Sequence, residues 1–288
     1  MAGSLCISID LELAWGIWDK PSHEYHERCA KLEGTIVERL VQIFERHEVA
    51  ATWAIVGRLL ERDDVASRTT AFGDRIWYAP ALIERVAHAK TRQEIASHGH
   101  EHKYFGSTTR EQLRADLAAA RSVHQRHGLA FDSFVFPRND VNHLDLLRDA
   151  GISVYRSVDD GWFIDVRDRF GRSAGRVANL LDKTLPIPPR SVKVSKHDDL
   201  VELPSSMLLF GRKGLRRVVH PSILVRKAML GLDAAKRSGD TFHLWFHPSN
   251  FYYESEQQFE ALERIVAYAA RMRANHELDI RTMGSFAA

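Results

Sequence analysis

Short apolar, β-branched runs alternate along the chain with longer stretches in which apolar residues recur every three to four positions, and the alternation continues to the C-terminus. The apolar runs at residues 5–11, 50–56, 94–97, 133–136, 153–155, 200–203, 241–246 and 278–281 predict strands. Helices are expected between them. Leu32, Ile36, Leu40 and Ile43 form one helical stripe. Thr108-x-x-Glu111 reads as a capping box that opens a helix closed by Gly128, with Leu113, Leu117 and Ala120 along its apolar face. Residues 141–150 predict a short helix stopped by Gly151. Ser255-x-x-Gln258 opens a last helix that runs to about Ala274, with Phe259, Leu262, Ile265, Val266 and Ala269 facing inward.

Strand and helix repeated about seven times imply a mostly parallel sheet. With no evident linker in 288 residues, the expectation is one domain over residues 1–288, an α/β fold built as a distorted barrel of about seven parallel strands. A doubly wound open sheet is the second architecture the pattern allows. One stretch breaks the rhythm. Residues 159–199 are rich in charge, contain Pro186-Ile187-Pro188-Pro189 and show a helical pattern only at residues 172–183, so a long loop or insertion is predicted there.

Composition narrows the function classes. A chain 44% hydrophobic and 27% charged is not disordered, and a net charge of +2 supplies no overall field for nucleic acid. Cys6 and Cys29 are too few for a disulfide scaffold and suit a reducing compartment. No signal-peptide pattern is legible at the start, and no apolar run approaches the ~20 residues of a membrane span, so a soluble cytoplasmic protein is expected. Histidine is the outlier, with fifteen in 288 residues.

Four strand ends collect the residues capable of chemistry. Asp10 and Glu12 end the first strand on one face, about 7 Å apart along the backbone, with Ile7, Ile9 and Leu11 pointing the other way. His98 and His102 follow the third strand at a spacing that one helical turn would bring onto one metal ion. Arg138 follows Pro137 after the fourth, where a guanidinium could hold a carboxylate ionised. His247 ends the strand at residues 241–246 and is placed for proton transfer, whereas His243, deeper in the same strand, reads as a satisfied core histidine. Sites in parallel α/β folds lie at the carboxyl ends of strands, so position here carries more than histidine content.

Together these residues resemble the polysaccharide deacetylase superfamily, whose members share the NodB homology domain and the fold of family 4 carbohydrate esterases. Ser8-Ile9-Asp10-Leu11-Glu12 resembles its first motif in the Asp-x-Glu form, with Glu12 where Asp is usual. His98-Gly99-His100-Glu101-His102 resembles His-[Ser/Thr]-x-x-His, with Gly99 in place of the hydroxyl residue. Phe136-Pro137-Arg138-Asn139 resembles the third motif, Asp159-Asp160-Gly161-Trp162 the fourth, and Leu244-Trp245-Phe246-His247 the Leu-x-His motif with one residue inserted. The resemblance spans nearly the whole chain in order.

What it implies is metal-dependent removal of N-acetyl groups from a sugar or glycan, in the biosynthesis of a cell-surface polysaccharide or glycoconjugate. Glu12, His98 and His102 would hold one divalent ion, zinc first, with cobalt, nickel, iron or manganese also suited to the ligand set. Asp10 would be the general base, kept ionised by Arg138, and His247 the general acid; the Asp10 and Glu12 roles are interchangeable on sequence alone. Trp15, Asn139 and Trp162 are the expected substrate contacts, with Trp18 beside Trp15 at the mouth. The partner would be an N-acetylated sugar, glycan, or nucleotide- or lipid-linked sugar, whose phosphate could meet the basic cluster Arg212-Lys213 and Arg216-Arg217. Two other readings stand beside this one: a metal-dependent phosphoesterase, which needs two ions, and a degenerate carbohydrate-binding module without catalysis.

Overall fold

A computed structural model of the chain describes residues 2–61, 72–159 and 161–287. Its elements run β1 (Gly3–Leu11), α1 (His23–His47), β2 (Thr52–Ile55), α2 (Pro80–Ala87), β3 (Glu94–Ser97), α3 (Arg110–Arg126), β4 (Ser133–Val135), α4 (Leu144–Asp149) and β5 (Val154–Asp159). They continue with α5 (Trp162–Phe170), α6 (Arg172–Thr184), β6 (Ser195–His197), β7 (Leu200–Ser205), β8 (Met207–Leu208), α7 (Pro221–Ser238), β9 (Thr241–Phe246), α8 (Ser255–Ala274) and β10 (Leu278–Arg281). The strand order is β6-β7-β5-β4-β3-β2-β1-β9-β8, with β10 also paired to β1. Among the described residues these strands pair in parallel except β6 with β7, and Val192 adds an isolated antiparallel bridge to Thr241 of β9.

The barrel is distorted and its ladder is not continuous. β7 pairs with β5 at one side of the sheet, and two residues later β8 pairs with β9 at the other. One chain segment therefore spans the two edges. Strand alternation sorts the side chains into two environments. Leu5, Ile7, Ile9 and Leu11 of β1 face the helix layer with Val37, Leu40, Phe44, Leu232, Leu262 and Ile265. Cys6 faces the interior with Ala54, Ala96, Val135, Val154, Val201 and Leu203, all small enough to leave room for polar groups nearer the mouth.

Three local expectations need correction. The helix over α3 is capped one residue later than Thr108: Thr109 accepts from the Gln112 N–H, and Gln112 returns the bond to Thr109. The short helix begins at Leu144 rather than at residue 141, because Arg138, Asn139 and His143 all adopt left-handed backbone angles that delay it. Residues 161–199 are not a long loop. They fold as α5 and α6, separated at Gly171 (φ 88°), followed by β6. α5 buries no residue fully, so it lacks the apolar stripe by which a helix is read from sequence.

Candidate metal centre

The polar interior begins with Arg156, from the middle of β5 and fully buried. Its Nη1 donates to Asp10 Oδ1 at 2.7 Å and to Ser8 Oγ at 3.0 Å, and its Nη2 donates to Asp10 Oδ2 at 2.7 Å and to Asn139 Oδ1 at 3.0 Å. The guanidinium lies over the Trp245 ring, 4.4 Å from its centroid. Ser8 Oγ is 2.9 Å from His243 Nε2, and His243 Nδ1 is 3.0 Å from the Pro204 carbonyl. This network assigns the tautomer: Nδ1–H donates to Pro204, and Nε2 accepts the Ser8 hydroxyl. Burial, together with the charge on Arg156, pushes His243 down to about 3, so it stays neutral. Burial alone would raise Asp10, but Arg156, His247 and His98 outweigh it and hold the carboxylate below its ordinary range.

The arginine expected at Asp10 is therefore Arg156, and Arg138 lies elsewhere. Arg138 Nη2 donates to Asp19 Oδ1 at 2.8 Å, and its guanidinium sits 4.7 Å from the Tyr104 ring centroid. The left-handed backbone at Arg138 (φ 56°) turns the side chain outward after Pro137.

Strand β1 ends at Leu11, and the backbone turns at Glu12 (φ −124°, ψ −13°) into a short 3-10 helix, Leu13–Ile17. That turn brings Gly16 against the Glu12 carboxylate. A Cβ at Gly16 would lie 2.0 Å from Glu12 Oε1, so only glycine leaves the carboxylate where it is. Glu12 Oε2 is 3.0 Å from His102 Nε2 and 3.4 Å from His98 Nε2. Burial raises the Glu12 pKa, but His247, His102 and His98 more than offset it and hold the group well below its usual range.

The two histidines reach Glu12 without the helical turn that their spacing suggested. Residues 98–102 are a bend in which Gly99 (φ 74°) and His102 (φ 57°) take left-handed angles. Asp116, buried on α3, accepts from the His100 N–H at 2.8 Å and the Glu101 N–H at 3.0 Å and pins the bend. His98 Nδ1 is 2.7 Å from the Val135 carbonyl, which fixes its proton there and leaves Nε2 bare toward Glu12. His102 is buried and its pKa is lowered, chiefly by burial with Glu12 opposing, so a neutral imidazole faces the carboxylate.

This set fits a divalent cation. Glu12, His98 and His102 each bring one ligand atom within 4.8 Å of the others. Metal–ligand bonds of ~2.0–2.1 Å hold tetrahedral ligand atoms about 3.3 Å apart, close to the separations seen from Glu12. His102 Nε2 is buried without a hydrogen-bond partner, as a lone pair awaiting a Lewis acid would be. Opposite, His247 Nε2 stands 3.5 Å from Glu12 Oε1 and 3.6 Å from Asp10 Oδ2, and its side chain, 24% exposed, is the most open of these groups.

The expected substrate contacts divide. Trp15 is buried, donates its Nε1 to the Trp77 carbonyl and packs edge-on against Trp77, so it cannot stack on a sugar. Trp18 is the exposed member of the pair and stacks on Tyr104, itself beside His102. The two rings line a cleft with Lys103 and Gln112. Asn139 holds Arg156. Trp162 donates to Asp182 Oδ1 and lines a separate cavity with Lys227 and Phe210. Of the fourth motif, Asp160 lies outside the described residues.

Residues 31–155 match the polysaccharide deacetylase family model, a span that holds His98, His102 and Arg138 but not Asp10, Glu12 or His247. No curated protein sequence matches the chain. Among solved structures, a polysaccharide deacetylase candidate from Mycobacterium smegmatis is 17% identical with a TM-score of 0.67, covering 100% of this chain and 90% of that one. A second candidate deacetylase, from Pseudomonas aeruginosa PAO1, is 12% identical with a TM-score of 0.65, covering 99% and 89%. Puue allantoinase is 11% identical with a TM-score of 0.63, covering 99% and 88%. The fold is thus shared over nearly the whole chain.

Proposed function

From a chain that has the polysaccharide deacetylase fold and, over residues 31–155, that family's sequence pattern, we propose a metal-dependent hydrolase that removes N-acetyl groups from a sugar or glycan. The observation that carries the proposal is the convergence of Glu12, His98 and His102 beside an Asp10–Arg156 pair and facing His247. Glu12, His98 and His102 would hold one divalent ion, zinc first, and the bound ion would polarise the acetyl carbonyl and lower the pKa of its water.

The remaining steps belong to the protein's own groups. Asp10, ionised beside Arg156, takes the proton from the attacking water. Its fixed position comes from the two-pronged contact with the guanidinium, which in turn is tied to Ser8 and Asn139. His247, on the open side, delivers a proton to the departing amine. Trp18, exposed and backed by Tyr104, offers an aromatic face for a sugar ring near His102. A cytoplasmic biosynthetic glycoconjugate is the substrate class we assign, consistent with Cys6 and Cys29 as free, buried thiols.

The test is acetate release from N-acetylated nucleotide sugars, lipid-linked sugars and oligosaccharides, with and without chelator, alongside metal content per chain. Release lost on chelation and in Asp10→Asn, with metal retained in that variant, is the expected result. One bound ion separates this reading from a two-metal phosphoesterase, and neither metal nor acetate would leave a binding module.

A second reading is hydrolysis of a cyclic amide in a small molecule. The likeness to an allantoinase over 99% of this chain favours it, and the same base and acid would serve. Ring opening of allantoin without acetate release from any sugar would select it.

A further inference from the structure

We propose that the face formed by α6 and the 3-10 turn Gly214–Val218 docks on an anionic phospholipid bilayer. Among the described helices none is long and apolar enough to cross a membrane, so the contact would be peripheral. The inference does not depend on the substrate.

Three observations carry it. Apolar side chains project into solvent where a globular surface ordinarily hides them: Leu215 is 90% exposed, Val218 79% and Leu180 62%. They are not scattered, because Leu180, Leu215 and Val218 line one groove together with Arg176, Lys183 and Arg216. The rim is cationic. Residues 161–190 and 211–220 contain ten Lys and Arg against three Asp, a balance of +7 in a chain whose total is +2. Among the described residues, Arg172, Arg176 and Arg216 have no carboxylate partner, so their charge faces outward.

The turn is braced for projection rather than collapsed. Arg212, itself buried, donates to the Arg217 carbonyl at 2.8 Å and to Gln257, which holds the loop closed from below. Lys213 is bound to Glu24. Arg217 lies 3.6 Å from Glu254, so three of the four cations in the basic cluster hold the turn, and Leu215 and Val218 are left at its tip. Apolar tips within a cationic rim match the two layers of a bilayer surface, acyl boundary and anionic headgroup. Nucleic acid would meet the charge but leave the apolar tips in water. A second copy of the same face would set the outward-facing Arg172, Arg176 and Arg216 against their own like, so self-association is opposed by charge.

The face also lies at a useful place. The segment that carries the turn leaves the C-terminal end of β8, which runs parallel to β9, the strand that His247 follows. A docked bilayer would lie beside the mouth of the barrel.

Cosedimentation of the full chain with phosphatidylcholine vesicles, with and without about a third phosphatidylglycerol, tests the proposal. Binding only to the anionic vesicles, weakened by salt, is expected. Arg176→Glu with Arg216→Glu should lower partitioning by roughly tenfold or more. Leu215→Ser with Val218→Ser should lower it by a similar factor, since burial of the two tips is lost. Neither pair should shift the melting temperature, because all four side chains face solvent. Absence of binding to anionic vesicles, or binding that both double variants leave unchanged, overturns it. So does a dimer in light scattering that Leu215→Ser with Val218→Ser dissolves while vesicles are ignored, which would give the face to a second copy.

Discussion

Arg156 and Asp10 face each other inside the barrel in a bidentate pair, Nη1 and Nη2 each 2.7 Å from one carboxylate oxygen, with both side chains buried. Such a pair is costly to break from one side, because the survivor is left charged and dry. Ser8 and Asn139 accept from the same two Nη atoms and the Trp245 ring lies against the guanidinium, so the pair is held from several sides.

Arg156→Met should therefore destabilise the fold by about 3–5 kcal/mol in chemical denaturation, through the unpaired buried carboxylate. It should also raise the Asp10 pKa, since Arg156 is the main group that opposes the effect of burial there. Activity would then fail at higher pH on the acid limb of the rate profile. Arg156→Lys keeps the charge and loses the fork, so its acid limb should move less while turnover still drops. An acid limb that stays in place in both variants would show that Asp10 is not the base.

Gly16→Ala tests the metal assignment from outside the ligand set. The new Cβ, 2.0 Å from Glu12 Oε1, must push the carboxylate off its line to His98 and His102. We expect metal retained after dialysis to fall by roughly tenfold or more, in the range that disturbed ligand support produces, with the fold intact by circular dichroism. Full metal content in Gly16→Ala would argue that Glu12 is not a ligand.

The sequence was most legible where a property is local. Strands β3, β9 and β10 begin and end where the apolar runs do, and the alternation in β1 placed Asp10 opposite Ile7, Ile9 and Leu11. It was least legible where a property belongs to distant pairs. Arg156 escapes a pattern of apolar residues because the apolar run ends at Tyr155, before the charge; yet an arginine inside a buried strand must find a carboxylate, and that is the available signal. Arg138 lies at a strand end, as a site residue would, but a positive φ, invisible in a non-glycine sequence, turns it toward Asp19. Trp15 and Trp18 are equivalent by composition, and only packing against Trp77 shows which is inside. The His98/His102 spacing brings the two imidazoles together by a different local geometry from the helical turn it suggests, since Asp116 pins a bend there.

Gly99→Ser would complete the His-[Ser/Thr]-x-x-His pattern that residues 98–102 resemble and should nonetheless harm the protein. Gly99 has φ 74°, and a Cβ there would lie 2.9 Å from Asp116 Oδ2, the group that pins the bend. A loss of about 1–3 kcal/mol in stability is expected from the strained angle alone. Metal affinity should fall with it, because His98 and His102 flank the same bend. A Gly99→Ser variant as stable and as metal-loaded as the parent would mean that the bend is not fixed by this glycine.

Glu33 gives the protein a stability that depends on pH away from the metal ligands' own titration. It is buried on α1 and accepts a hydrogen bond from the Tyr252 hydroxyl. Burial raises its pKa, the Tyr252 bond lowers it, and the charge of Glu12 raises it again, leaving it at about 7 against 4.5 when unfolded. Between those values the folded chain keeps a proton that the unfolded chain releases, so stability is full below about pH 4.5 and falls as pH rises through 7. The loss is on the order of 3 kcal/mol by pH 8. Glu33→Gln keeps an acceptor for Tyr252 and removes the charge, so it should be more stable than the parent at pH 8 by up to about that amount and nearly equal to it at pH 5. Urea midpoints for both proteins at the two pH values decide the matter: an equal gap at pH 5 and pH 8 would mean that Glu33 does not titrate in this window.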